Sequence, residues 1–401
     1  MTGRWGILAV LFTVRATMGF QFQSVAAVAP ILTRDAGIGL ADVGLLIGLY
    51  LAPGMAIALP GGALGRRYGD KPAVLTGLAL MFLGGLLMAF WPSWSAQVCG
   101  RLLAGLGGVL LNVIMSKMVT DWFAGREIAS AMAIFVNSWP VGIALALIVL
   151  PPAGVTYGVP VVYLISSAAV ALGFITFAAL YRSPPAAAGS ILAGAVPTGR
   201  PLAAVLVAGL IWSLFNVAFA MVFGFGPTML TERGWSVAAA GSAVSVVMWL
   251  TMLSVPAGGF LADWTKRHVA FIVWGGVLFA AALVFAARTE ATLASFVVLG
   301  IVCGLPAGPI MSLPARVLEP ATRAVGMGIF FTVFYIGMFV APAIAGWLAI
   351  KLGGASVAFD FGAAVLLGAA LLAWAFPLLA KPISPAATGP TNAPTPRAAK
   401  P

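Results

Sequence analysis

The sequence predicts an all-α membrane protein in which twelve spanning helices form two six-helix bundles. Three observations carry this expectation. The 401 residues are 62% hydrophobic and 8% charged, with a mean hydropathy of +1.09, a composition that a water-soluble surface does not tolerate. Twelve apolar stretches run from Trp5 to Leu379, each near the roughly 20 residues a helix needs to cross hydrocarbon. Similar segments follow the second and eighth stretches, PGGALGRRYGDK from Pro60 and PAGGFLADWTKRH from Pro256, as expected of a duplicated six-helix unit. No alternating barrel strands are present, which leaves helices as the spanning element.

The first stretch, 5–30, begins like a signal peptide behind Arg4. Arg15 interrupts its apolar run and no small-residue cleavage site follows, so it reads as an uncleaved helix. The second and third, 43–64 and 73–91, flank the first copy of the repeated segment. In the fourth, 96–118, the helical repeat puts Arg101, Gly105, Gly108, Asn112 and Met115 on one face. Small residues beneath a long arginine predict open volume there. In the fifth, 128–150, Asn137, Ser138, Trp139, Pro140 and Gly142 predict a break midway, because proline frees backbone carbonyls. The sixth, 158–180, ends at YRSPP. The seventh, 203–229, carries Trp212, Asn216, Phe219 and Phe223 on one face, suited to walling a small site. The eighth and ninth, 239–261 and 269–287, flank the second repeat copy. The tenth, 291–313, is expected to bend at Pro306 and Pro309. The eleventh and twelfth, 325–349 and 355–379, complete the set.

These stretches divide the chain into an N-terminal bundle at 1–180, a linker at 181–202 rich in Pro and Gly, and a C-terminal bundle at 203–380. The tail at 381–401 is rich in Pro, Ala and Thr, lacks an apolar face, and is expected to be disordered.

Basic residues cluster in every second connection. Arg4, Arg66, Arg67, Lys71, Lys117, Arg126, Arg182, Arg200, Lys266, Arg267, Arg316, Arg323, Lys381, Arg397 and Lys400 share one side; Arg34, Arg233, Arg288 and Lys351 share the other. The asymmetry predicts cytoplasmic termini and a multi-pass protein of the inner membrane. It also accounts for most of the net charge of +11, and without a run of consecutive basic residues a nucleic-acid partner is not expected.

Catalysis finds little support. The one histidine, His268, lies in a loop, so no nucleophile–histidine arrangement forms in the membrane. Cys99 and Cys303 are too few for a metal cluster or disulfide framework and read as packing residues. GRRYGDKP lacks the Gly-Lys-Ser/Thr ending of a phosphate-binding loop. No enzyme, cofactor or metal is expected, and a secondary transporter remains, with a small-molecule substrate, the bilayer as its setting, a coupled proton or counter-ion as an option, and a monomer as the functional unit.

Arg15 is the sharpest single residue. It falls near the middle of the first helix, where an unpaired charge costs about 2.5–3.5 kcal/mol or more. Asp35, Asp42, Asp70, Asp121, Glu127, Glu232, Asp263, Glu290 and Glu319 all fall in loops or at helix ends, and Asp360 lies just inside the twelfth helix. An arginine without a neighbouring acid suits an anionic substrate, whose carboxylate-like group matches the guanidinium fork. Thr13, Thr17, Gln21 and Ser24 form a polar stripe roughly opposite it; Arg15 is placed inward, with Gly19 giving it room. The expected substrate-binding residues are Arg15, Arg101, Asn112, Asn137, Trp212 and Asn216. Arg101 has a second reading, as a clamp that holds the first helix by hydrogen bonds.

The repeated segment resembles the loop signature of the major facilitator superfamily, a Gly, three residues, an Asp, a basic residue and further on a Gly and more basic residues. Gly62, Arg67, Gly69 and Lys71 match in the first copy, where Arg66 stands in place of Asp; Gly259 and Asp263 match in the second. A second motif, RLLAGLGG, matches the family's pattern at Arg101, Gly105 and Gly107. The resemblance covers essentially the whole chain. It implies that Gly62, Arg67, Gly69, Asp70, Gly259 and Asp263 form a latch at the cytoplasmic ends in the outward-facing state, with Asp263 carrying more of it than its N-terminal counterpart. VRATMGFQFQSVAAVAP, KMVTDWFAGREIASAMAI and NSWPVG resemble the cyanate permease and nitrate/nitrite branches. That points to transport of a small anion by alternating access; an exporter of neutral or cationic organic compounds, of the nitroimidazole or drug type, is the alternative.

Overall fold

The structure, a computed structural model, describes residues 3–35, 37–58, 69–123, 127–182, 195–319 and 322–379. Twelve helices long and apolar enough to cross a membrane are present, and the described residues contain no strand. They are α1 (Arg4–Phe22), α2 (Leu40–Ile57), α3 (Asp70–Phe90), α4 (Trp94–Phe123), α5 (Ile128–Tyr157), α6 (Val159–Leu180), α7 (Gly199–Glu232), α8 (Val237–Thr265), α9 (His268–Arg288), α10 (Thr292–Val317), α11 (Arg323–Leu352) and α12 (Ser356–Leu379). The expected helices are all there. Several, such as α4, α5 and α7, run a turn or more beyond their expected ends. Most of the 181–202 linker, the tail at 381–401 and the end of the second expected stretch lie outside the described residues.

Three of the expected helices are interrupted: the first, α2, which turns at Tyr50–Pro53, and α10. The first expected helix is not continuous to residue 30: it turns at Gln23 and Val28, and two short segments, Ser24–Ala27 and Ala29–Asp35, continue it. α10 is split into Thr292–Cys303, Ala307–Met311 and Leu313–Val317, because Pro306, Pro309 and Pro314 supply no N–H to the helical ladder. α5, by contrast, runs unbroken through Pro140, Pro151 and Pro152, correcting the expected midway break. The Val136 carbonyl, four residues before Pro140, has no proline N–H to bond, and Arg15 takes it instead at 2.9 Å.

Small residues bring backbones together, as helix association in lipid requires. α3 and α4 meet at Gly84 and Gly100, where a Cβ on Gly100 would lie 2.7 Å from the Gly84 carbonyl. α1 and α5 meet at Gly19 and Gly142: a Cβ on Gly19 would lie 2.6 Å from the Trp139 carbonyl. Gly19 therefore makes room for the α5 backbone rather than for Arg15, which corrects the sequence reading.

The two halves touch mainly through α2 against α11 and α5 against α8. These contacts concentrate at the end opposite the one where α1 begins and α12 ends. A Cβ on Gly44 would strike the Pro342 carbonyl, one on Gly48 the Phe339 carbonyl, and one on Gly241 the Leu147 carbonyl. This far end is closed by backbone-to-backbone contact, so Gly48→Val should prevent closure. Overpacking costs about 1–3 kcal/mol, enough to depopulate the closed form about 5- to 150-fold. Spin labels at the far ends of α2 and α11 should report a longer distance in this variant; an unchanged distance would show that the gate tolerates the side chain.

Candidate functional site

A cavity of about 190 Å³ lies between the halves. Arg15 and Met18 of α1, Leu51 of α2, Asn112 of α4 and Val136, Asn137, Trp139 and Pro140 of α5 line one side. Trp212, Phe215, Asn216, Phe219 and Phe223 of α7, Thr251 and Val255 of α8, Cys303 and Ala307 of α10, and Phe331, Phe334, Tyr335 and Met338 of α11 line the other. Arg15 sits about eleven residues into α1, about 16 Å at 1.5 Å per residue, close to half of the roughly 30 Å hydrocarbon core. Above it Phe22 packs edge-on to Phe223 (5.9 Å) and Tyr50 (5.4 Å), separating the cavity from the closed far end.

Arg15 is held by α4 and α5. Nε donates to Asn112 Oδ1 at 2.9 Å, and Nη1 donates to the carbonyls of Phe135 (3.1 Å) and Val136 (2.9 Å) and to Ser138 Oγ (3.2 Å). The guanidinium also lies 4.8 Å from the centroid of the Phe135 ring. Nη2 makes no hydrogen bond among the described residues. The charge is thus fixed in place by neutral acceptors, and no acid neutralises it: none of the ten Asp and Glu residues lines the cavity. Asp360 accepts from Nη1 and Nη2 of Arg288 at 2.5 and 3.1 Å, in a bidentate pair remote from the cavity.

Asn137, Asn216 and Trp212 also reach the cavity. Asn137 Nδ2 donates across the halves to the Met252 carbonyl at 3.4 Å. Asn216 Nδ2 donates back to the Trp212 carbonyl at 2.8 Å, and its Oδ1 has no partner among the described residues. Trp212 stacks against Phe215 at 5.5 Å and tilts against Phe334 at 6.3 Å.

Arg101 is corrected. It is 1% exposed, does not line the cavity, and donates to the carbonyls of Leu46 (2.9 Å), Gln21 (3.4 Å) and Phe22 (3.0 Å). Two of these carbonyls sit where α1 ends, so Arg101 ties that terminus to α2. The open volume expected beneath it is filled by the Tyr50 ring: Gly105 abuts the Tyr50 backbone, and a Cβ on Gly108 would lie 2.9 Å from its hydroxyl. Of the polar stripe, Gln21 reaches another helix, donating to the Met81 carbonyl at 2.8 Å, while Thr13 and Thr17 bond the backbone of their own helix.

Among the expected latch residues, Gly62 and Arg67 lie outside the described residues. Gly69 precedes α3 with φ of 87°, and Gly259 packs on α10, where a Cβ on Gly308 would lie 2.9 Å from the Gly259 Cα. Asp70 pairs with Lys117 at 2.7 Å, and Lys117 with Asp121 at 2.9 Å; Asp263 pairs with His268 at 3.5 Å. Each of these pairs stays within its own half.

The sequence reading missed Phe331, Phe334 and Tyr335. Their signal was the aromatic cluster in IFFTVFY at helical spacing, which an all-apolar helix disguises as packing. Cys303, expected as packing, is buried and also forms part of the wall, with its sulfur 3.1 Å from Thr251 Oγ1.

Twelve spans around a mid-depth cavity that both halves line define a polytopic protein of transporter architecture. The chain belongs to the Major Facilitator Superfamily, whose model matches residues 11–269 and 202–399. It is similar to a hexuronate transporter of Bacillus subtilis, 23% identical across 96% of this chain and 98% of that protein. It is also similar to a 4-hydroxybenzoate transporter of Pseudomonas aeruginosa, 28% identical across 34% of this chain and 33% of that one. Its fold matches a solved POT family transporter in complex with a thioalcohol-conjugated peptide, with a TM-score of 0.75 and 15% identity over 93% of this chain and 96% of that one.

Proposed function

We propose that this chain is a secondary transporter that carries a small monovalent anion across the inner membrane by alternating access. Arg15 is the anion's counter-charge, and the observation that carries the reading is its place: a fixed guanidinium in the cavity wall, no acid beside it, one nitrogen uncommitted. Asn112 positions it, and Asn137, Asn216 and Trp212 complete the polar and aromatic contacts. The names of two relatives, a hexuronate and a 4-hydroxybenzoate transporter, both denote carboxylates. The motifs resembling the cyanate and nitrate/nitrite branches support a monovalent anion as well. The alternative, export of neutral or cationic organic compounds, draws support from the aromatic walls, but the same guanidinium opposes a cation. The test is ligand binding to purified protein: anions that bind parental protein and lose affinity in Arg15→Gln support the proposal, and a panel in which only cations bind sinks it.

The Lys and Arg asymmetry supports cytoplasmic termini; on that reading the closed far end is external, as in an inward-facing conformation. The Asp263 side chain is 76% exposed, which leaves it accessible to a partner from the other half. Asp263→Asn should slow transport several-fold while leaving affinity within a few-fold, because a shift between conformations alters apparent affinity only through the competent fraction. Parental transport rates in proteoliposomes would remove Asp263 from the latch.

A further inference from the structure

We infer that the anion this cavity accepts is an aromatic monocarboxylate of about benzoate size. The inference rests on the anion reading above and deepens it, because charge alone does not choose among anions. Size, charge count and wall chemistry do.

The 190 Å³ of space is below the roughly 300–1,000 Å³ of clefts for drug-sized ligands, which favours a small occupant. A three- or four-atom inorganic anion leaves most of that space unfilled. One guanidinium is present and no second cation lines the wall, so a dianion would keep one buried charge unpaired, a state that low dielectric penalises. The polar groups are few, and several are partly spent. Asn112 accepts from Arg15, Asn137 donates to the Met252 carbonyl, and Thr251 donates to the Val247 carbonyl at 2.7 Å. A polyhydroxylated acid carries more hydroxyls than the open oxygens of Asn137 and Asn216 can meet, and each one left over has a desolvation cost.

The remaining surface is aromatic. Trp212, Phe219, Phe331, Phe334 and Tyr335 all face the cavity, and Phe334 sits edge-on to Phe331 at 6.4 Å and to Tyr335 at 4.9 Å. Rings set at such angles offer both faces and edges to a further ring, the two geometries aromatic pairs prefer. A flat ring carrying one carboxylate matches every feature: the carboxylate meets Arg15 Nη2, and the ring lies among the aromatic side chains.

The experiment measures affinity of the purified full chain for benzoate, benzamide, cyclohexanecarboxylate, nitrate and galacturonate by quenching of tryptophan fluorescence, on the parental protein and on Arg15→Gln, Trp212→Leu and Phe334→Leu. Benzoate is expected to bind tightest, about 2- to 10-fold tighter than cyclohexanecarboxylate, the range that an aromatic pair adds beyond area burial. Trp212→Leu or Phe334→Leu should erase that ring preference while a carboxylate preference over benzamide persists; having two variants covers a failure of either to fold. Tightest binding of nitrate or galacturonate, lost in Arg15→Gln, would overturn the aromatic class and leave the anion reading standing. Equal binding of benzoate and cyclohexanecarboxylate would overturn the aromatic preference alone. Benzamide binding as tightly as benzoate, unaffected by Arg15→Gln, would overturn both.

Discussion

Arg15→Gln abolishes anion uptake while the protein remains folded and inserted. Glutamine keeps an amide donor for the Val136 carbonyl that Pro140 leaves free, so the α1–α5 packing at Gly19 and Gly142 persists. The uncommitted nitrogen and the charge are lost. Truncating one member of a buried, hydrogen-bonded charge pair costs about 2–5 kcal/mol, a loss of about 30-fold or more in affinity. Arg15→Lys should recover part of the uptake, because an ammonium restores charge without the planar fork that serves Asn112 and a carboxylate together. Uptake into proteoliposomes and affinity in detergent check both variants. Parental rate and affinity in Arg15→Gln would make the charge structural and remove the main support for an anion.

Arg101→Met gives the opposite phenotype, loss of stability rather than altered selectivity. Three carbonyls, on Leu46, Gln21 and Phe22, lose their donor within a site that is closed to water. A buried acceptor left unsatisfied costs about 1–3 kcal/mol, so the thermal midpoint should fall by several degrees even though methionine fills much of the volume. The residual folded fraction should keep its order of preference among anions, since Arg101 does not line the cavity. A changed preference with an unchanged midpoint would restore Arg101 to the substrate site. The two arginines read alike in sequence, yet one faces neutral acceptors beside open space and the other closes a helix terminus.

The sequence by itself determined the fold class, the twelve spans and the duplicated halves, because hydrocarbon leaves a spanning backbone few choices and charge asymmetry marks alternate loops. It also singled out Arg15, since a lone charge within an apolar helix demands a partner. It did not determine which face of each helix turns inward. In a soluble helix a polar face marks the water side; in α7 or α11 the lipid face and the protein face are equally apolar, and Phe331, Phe334 and Tyr335 are indistinguishable by pattern from packing residues. The same limit misplaced Arg101 and Gly19. A small residue beside a long one signals close approach, but whether the neighbour is a substrate, the Tyr50 ring or the Trp139 backbone depends on partners distant in sequence. Only tertiary packing decided that the carbonyl freed by Pro140 meets Arg15, and that both halves together wall the cavity.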